Sequence, residues 1–475
     1  MGFIKKNLLD ILCWLLLVAG VFAVYVVAIE KNFTSSVERG RYALTRAIVE
    51  DKSFKIDSYK EFSYPDVSFK NGHYYSRFPA GMSFLMAPAH MIALRISPQN
   101  PQIVGFEFVS LLSALSVGFL YILGRINKFS ISTSLLGGYV FAFATILFSF
   151  SGGYWAHIPS IFVVSSVLVI FSLFLKSPKY RHIFLIALLY SIGFSIDFPN
   201  ALFLFPIILF ILIAGYKKGK LTFLKYFGLI ITPIILIISL ILLYNTLSFG
   251  KPLAIGQSAS VSVGTRFKTS FIPLKDWTSE GVFDDRRLFP GLYTQLISSQ
   301  RGLLMFSPIV FLACIGFISL FKKDKIFSTV TASIFLINVI FYSVWQDYWG
   351  GWSYGPRYLL AVLPIFLLPT LFFIKEKLKN ILFLVLFILA SFWGILINTL
   401  GALTGILLPC PCEGYYGLKY SPLQAFNHLY TASDINSFFY DSFLRSLLSP
   451  QYMFLLLFSV IMLFFIVLVL VHEKK

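Results

Sequence analysis

Twelve apolar stretches, each close to the length of a bilayer span, constrain this chain more than any other feature. They lie at 7–29, 102–124, 132–150, 157–176, 181–197, 199–215, 221–245, 303–321, 326–345, 357–374, 379–404 and 451–472. A helix crossing the hydrocarbon core needs about 20 apolar residues. In lipid, only helices and closed barrels satisfy their own backbone polar groups, and uninterrupted runs of this length read as helices. The expected fold is therefore an all-α polytopic membrane protein of about twelve transmembrane helices. Charged residues are 13% of the chain, against about 25% in soluble domains, which excludes a water-soluble enzyme. The net charge of +18 would suggest nucleic acid in a soluble protein, but here the Lys and Arg residues sit mostly in short clusters between apolar stretches.

Those clusters alternate along the chain. Lys5-Lys6, Arg125/Lys128, Lys176/Lys179/Arg181, Lys217-Lys218/Lys220, Lys322-Lys323/Lys325, Lys375/Lys377/Lys379 and Lys474-Lys475 mark one set of ends, while connections 150–156, 197–199 and 346–356 carry no Lys or Arg. The positive-inside rule makes the basic set cytoplasmic. Both termini are then cytoplasmic in the cytoplasmic membrane, and loops 30–101, 246–302 and 405–450 face outward from a single membrane-embedded domain over 1–475. The first stretch lacks a small-x-small cleavage site and reads as an uncleaved anchor. Gly81–Leu94 is too short to span comfortably and suggests an interfacial or re-entrant helix. Cys13 and Cys314 lie in apolar runs, and Cys410-x-Cys412 has no His at zinc-finger spacing.

The first outer loop holds most of the candidate chemistry. After Ser35, Val37, Leu44 and Ile48 share one helical face while Glu38 and Arg41 share another edge, as in a short amphipathic helix on the membrane surface. Ser35-x-x-Glu38 is a capping box, so Glu38 is either a structural cap or an acid with chemistry to do. Further on, Asn71-Gly72 is a turn signal, which allows Asp66 and Arg77 to lie on paired segments around it. Arg77, at the water–lipid boundary, either snorkels or holds a phosphate with its guanidinium fork. His157, Asp197, Arg301, Gln346-Asp347 and Arg357 fall at outer helix ends. Trp349 and Trp352, in a Gly-bearing turn after Asp347, either anchor at the interface or offer a surface for a sugar ring.

In order along the chain come Gly40-Arg41-Tyr42-Ala43-Leu44-Thr45-Arg46, Gly72-His73-Tyr74-Tyr75-Ser76-Arg77-Phe78-Pro79-Ala80-Gly81, Tyr244-Asn245-Thr246-Leu247-Ser248-Phe249-Gly250, Gln300-Arg301-Gly302-Leu303-Leu304-Met305-Phe306 and Trp349-Gly350-Gly351-Trp352-Ser353-Tyr354-Gly355-Pro356-Arg357-Tyr358. This ordered set resembles lipid-phosphate-sugar-dependent glycosyltransferases with the GT-C fold, in the branch of protein O-mannosyltransferases and aminoarabinose (ArnT-like) transferases. The resemblance implies that Glu38 matches the catalytic acid at the start of the first-loop helix. It also implies that Arg77 stands where relatives place a basic residue on the lipid phosphate. Asp66 joins Glu38 as a catalytic candidate; Arg41, Tyr42, Tyr75, His157, Arg301, Asp347, Trp352 and Arg357 join Arg77 as substrate-binding candidates. Two departures stand out. Arg39 replaces the second acid that often follows the first, and one carboxylate is a poor site for a hard cation, so no metal is assigned. Phe78-Pro79 replaces the family's Pro-Pro.

The implied activity is transfer of a sugar from a polyprenyl-phosphate donor to an acceptor hydroxyl on protein, lipid or glycan, at the extracytoplasmic face and with inversion. The rival reading is a transporter or flippase of a lipid-linked or polar solute. A transporter would carry polar or helix-breaking residues at mid-membrane; here the ionisable residues gather in loops and at outer helix ends, which favours the enzyme.

Overall fold

The computed structural model describes residues 2–259, 283–351, 353–404, 429 and 435–473. Trp352, Cys410, Cys412 and Lys474-Lys475 lie outside the described residues, as do much of the second and third outer loops. Apart from one two-stranded hairpin and an isolated bridge, the regular structure of the described residues is helical. Nine of the described helices are long and apolar enough to cross a membrane. The protein is a multi-pass integral membrane protein.

The chain begins with α1 (Gly2–Val27) and enters the loop expected at 30–101. That loop holds α2 (Ser36–Val49), the short α3 (Lys60–Ser63), the hairpin β1 (Val67–Lys70) and β2 (His73–Ser76), and α4 (Gly81–Ile96). Then follow α5 (Pro101–Ile126), α6 (Ile131–Phe143), α7 (Leu147–Phe150), α8 (His157–Lys176), α9 (Tyr180–Ile196), α10 (Pro199–Lys217) and α11 (Lys220–Phe249). Helices Ile309–Lys323, Lys325–Ser343, Leu367–Lys377, Ile381–Thr404 and Pro450–Glu473 complete the bundle, the third of them entered through a tight helical run from Arg357 to Phe366.

All twelve apolar stretches meet helix, but three meet shorter helices than a straight span. Stretch 132–150 breaks at Ala144, where Gly394 packs so closely that a Cβ on it would stand 2.4 Å from the Ala144 carbonyl oxygen. Ser307 Oγ accepts the Ile146 N–H at 2.9 Å and satisfies one donor that the break releases. Stretch 303–321 is interrupted at Ser307-Pro308, since Pro cannot donate to the preceding turn. The third, α9, ends at Ile196 just ahead of Pro199.

The basic connections converge at one end. Asp10 on α1 pairs with Arg125 at the end of α5 at 2.7 Å, and Lys176 donates to the Ile126 carbonyl. Lys375 lies over Phe129 and Lys323 over Phe372. At the opposite end, Glu30 N–H donates to Gly152 and Phe438 N–H to Ile29, which ties the end of α1 to the α7–α8 connection and to the last loop.

Helix α2 forms as expected but does not lie on a surface. Glu38, Arg41, Tyr42, Leu44 and Thr45 are all buried, because neighbours close on it from several sides. Ser83 of α4 donates to the Arg41 carbonyl, Tyr154 meets Thr45 at 2.9 Å, and Gly40 admits Asp66 and Phe78 against the backbone. By contrast α4 keeps a partly open apolar side, with Phe84, Met91, Ile92 and Ile96 exposed, as an interfacial helix requires.

Candidate active site

Glu38 is fully buried, at 0% exposure. The capping box is present: Ser35 Oγ accepts from the start of α2, and Glu38 Oε2 accepts the Ser35 N–H at 3.0 Å. Oε2 also accepts from the Thr34 N–H and hydroxyl, at 3.1 and 3.0 Å. The other oxygen, Oε1, accepts one bond, from the Tyr154 N–H at 2.7 Å. These four donors favour the charged form, but burial outweighs them and pushes the carboxyl up to about 7. Burial of that degree makes a carboxylate a base near neutral pH.

Around it stands an aromatic wall. Phe33 packs on Tyr42, Phe62, Phe106 and Tyr154. Three residues along α2 from Glu38, Arg41 is also buried, and its guanidinium lies 4.4 Å over the Phe78 ring. Its electrostatic neighbours are Asp197, Arg357, Asp66 and Glu38, and burial pulls its pKa down. Arg357 lies over Trp155 and Tyr358, at 5.6 and 5.2 Å. The Nε–H groups of both Arg41 and Arg357 are buried without a hydrogen-bond partner. His157 stacks on Trp155 at an interplanar angle of 10° and shares the field of the two arginines.

Asp66 and Arg77 close the hairpin as its turn predicts. Asn71 and Gly72 both adopt positive φ, at 50° and 84°, and the register from Val67–Ser76 to Lys70–His73 brings the flanking residues together. Arg77 Nη1 meets Asp66 Oδ1 at 3.0 Å, while Ser36 Oγ donates to Asp66 Oδ2 at 2.6 Å. Asp66 therefore links Arg77 to the first turn of α2.

Directly after Arg77 an apolar cavity of about 540 Å³ opens between α4, α9 and α11. Phe78, Phe84, Phe198, Leu240 and Tyr244 are among its walls. Phe78 thus lines the cavity and carries the Arg41 guanidinium.

No protein-family model matches the chain, and no curated protein matches it. Among solved structures it is similar to ArnT from Cupriavidus metallidurans in the apo state, at 10% identity and a TM-score of 0.48, over 84% of this chain and 70% of that one. It is also similar to archaeal oligosaccharyltransferase AglB from Archaeoglobus fulgidus in complex with an inhibitory peptide and a dolichol-phosphate, at 14% identity and a TM-score of 0.47 over 82% of this chain and 55% of that one. The Archaeoglobus fulgidus oligosaccharyltransferase in its apo form is similar at 13% identity and a TM-score of 0.47, over 82% and 57% of the two chains. This chain spans little more than half the length of the oligosaccharyltransferases.

Of the other candidates, Arg301 and Asp347 lie near the turn that meets Arg357 and Tyr358. The Tyr42 hydroxyl meets His90 Nδ1 at 3.2 Å, and His90 in turn meets Glu50 at 2.8 Å. Tyr75 packs on Phe249. Arg301 is buried, donates to the Ser353 carbonyl at 2.7 Å and lies 5.2 Å from the Trp349 ring. Asp347 is exposed in its turn.

Sequence reasoning missed Glu30. It is 3% exposed, and its Oε2 is buried with no hydrogen-bond partner. Both Glu30 Oε1 and Glu38 Oε1 come within 3.0 Å of the point where a Cβ on Gly153 would stand. The available signal was an ionisable residue bordering the first apolar run.

Proposed function

We propose that the protein is a membrane glycosyltransferase that takes its sugar from a polyprenyl-phosphate donor and passes it, with inversion, to an acceptor hydroxyl at the extracytoplasmic face. The observation that carries this reading is Phe78, one of whose neighbours is a buried arginine on the Glu38 helix and the other an apolar cavity large enough for part of a lipid chain. Such a seat suits an amphiphile with an anionic head and an apolar tail. The side assignment rests on the basic connections lying at the end opposite the site.

The chemistry needs few groups. Phosphate on the anomeric carbon is already a good leaving group, so no general acid is required. Glu38 takes the acceptor hydroxyl proton, the acceptor oxygen bonds to the anomeric carbon, and the phosphate departs with the electrons of the broken C–O bond. Arg41 and Arg357 supply buried N–H donors for the charge that develops on the phosphate, where low dielectric makes them effective. Arg77, held by Asp66, is the cation at the cavity mouth that meets the donor phosphate on entry. Among the described residues no group of three or more His, Cys, Asp and Glu side chains gathers to hold a metal ion.

The test compares one sugar on three carriers: polyprenyl phosphate, a short-chain alkyl phosphate, and a nucleotide. The reading expects release from the polyprenyl donor, weak release from the short-chain donor, and none from the nucleotide sugar. Narrowing the cavity with Leu240→Trp should raise the KM of the long-chain donor and leave that of the short-chain donor in place. Equal use of the nucleotide sugar would reject the proposal.

A further inference from the structure

We infer that Glu30 and Glu38 work as one carboxylate pair sharing a single proton, with Glu30 the positioning residue that keeps the proton and leaves Glu38 as the base. The inference rests on the glycosyl-transfer reading and adds to it a residue on a different element.

The geometry is specific. Glu30 follows α1, Glu38 starts α2, and Gly153 lies in the α7–α8 connection. Each glutamate turns Oε1 toward the bare Cα of Gly153, to within 2.9 and 3.0 Å of where a Cβ would stand, so no side chain separates them. Neither makes an ion pair among the described residues. Two buried carboxylates this close, without a cation, do not both ionise.

The surrounding groups do not change this. From α2, Arg41 faces Glu38 but is shared with Asp197 and Asp66. Lys31, next to Glu30, pairs with Asp441 at 3.1 Å. From the connection, the Tyr154 hydroxyl meets Thr45, Trp155 is uncharged, and His157 faces Arg41 and Arg357. Asymmetry then decides which acid keeps the proton. Glu38 accepts four hydrogen bonds, which hold its charge, whereas Glu30 is held only through Thr34 and keeps one oxygen with no partner. Burial and the neighbouring Glu38 both push Glu30 well above the usual carboxylate range.

In turnover, Glu38 starts ionised and Glu30 protonated. The acceptor hydroxyl gives its proton to Glu38 as its oxygen bonds to the anomeric carbon and the phosphate leaves with the electron pair. Both glutamates are then protonated, and Glu38 returns its proton to water before the next cycle.

Glu30→Gln separates this from a packing role. By infrared titration of the full-length protein in detergent, wild type should keep a protonated carboxyl band through neutral pH that Glu30→Gln loses. In transfer assays the acid limb of kcat/KM should stay near wild type in Glu30→Gln, because a neutral amide replaces a neutral acid and burial is what raises Glu38. Glu30→Asp, which keeps the acid, should retain the protonated band. An unchanged band in a folded Glu30→Gln protein would overturn the pair, and so would an acid limb that moves down by about one pH unit or more, since Glu30 would then be ionised beside Glu38 in the wild type. So would activity abolished by a chelator, restored by Mg²⁺, and made more Mg²⁺-demanding by Glu30→Gln, since the two acids would then hold a cation. The infrared arm needs no turnover, so the pair is testable even where no donor is used and the glycosyl-transfer reading itself fails.

Discussion

Glu38 Oε1 accepts the Tyr154 backbone N–H at 2.7 Å, across 116 positions of sequence. This bond joins the first outer loop to the α7–α8 connection and brings the acid beside Gly153 and Glu30. The same side chain also closes the capping box of α2. Capping therefore leaves room for the proposed chemical role, with Oε2 engaged in the cap and Oε1 turned toward the second acid.

The acids give stability a definite pH dependence. Glu38 is raised from 4.5 to about 7 by burial, and Glu30 is raised as well. A carboxyl raised in the folded state binds more protons there than when unfolded, so its contribution is fully present below 4.5 and is lost as pH rises through 7. Thermal unfolding in detergent should show Tm falling between about pH 5 and pH 8. The slope should flatten in Glu38→Gln and in Glu30→Gln; a wild-type slope in both variants would contradict the assignment.

Gly153→Ala places a Cβ 2.8 Å from Trp155 and 2.9 and 3.0 Å from the two carboxylates. Both acids and a buried tryptophan must shift to admit it. A loss of about 1–3 kcal/mol of stability is expected for such overpacking, with transfer activity reduced beyond what the folded fraction explains. Full activity in the alanine variant would show that the acids do not need this close approach.

Arg77 distinguishes snorkelling from phosphate contact. Arg77→Lys keeps a long stem and a charge, and Arg77→Met keeps only the stem. On the phosphate reading, donor KM rises modestly in Lys and steeply in Met, and both proteins fold. An active Met variant with wild-type donor KM would remove Arg77 from the site.

Much of this was legible in the sequence because local patterns wrote it there. Length and hydropathy gave the helices, Ser35-x-x-Glu38 the cap, and Asn71-Gly72 the hairpin that joins Asp66 to Arg77. What was not legible depends on long-range packing. The amphipathic pattern of α2 suggested a surface helix, yet neighbours from α4, the hairpin and the α7–α8 connection bury it. Glu30 lies just past the first apolar run, and only the close approach permitted by Gly153 places it beside Glu38. The Ala144 break likewise packs against Gly394, distant in sequence.

The orientation expected from the basic connections is open to direct labelling. Single cysteines in a cysteine-free background at positions in 30–101 should react with an impermeant reagent from outside, and those in 216–220 and 322–325 should not. Outside labelling of the last two would turn the site toward the cytosol.

Transfer by the wild-type protein and Glu38→Gln, measured side by side with a polyprenyl-phosphate sugar, bears most directly on the central claim. Gln preserves the side-chain shape, but its amide NH2 must face either the Tyr154 N–H or the cap donors, so a stability cost of about 1–3 kcal/mol is expected and transfer is compared per folded molecule. The account predicts sugar transfer by wild type and a fall of about 10²–10⁴ in the rate of Glu38→Gln. Near-normal transfer by the folded Gln variant would contradict it, leaving Glu38 a cap and nothing more.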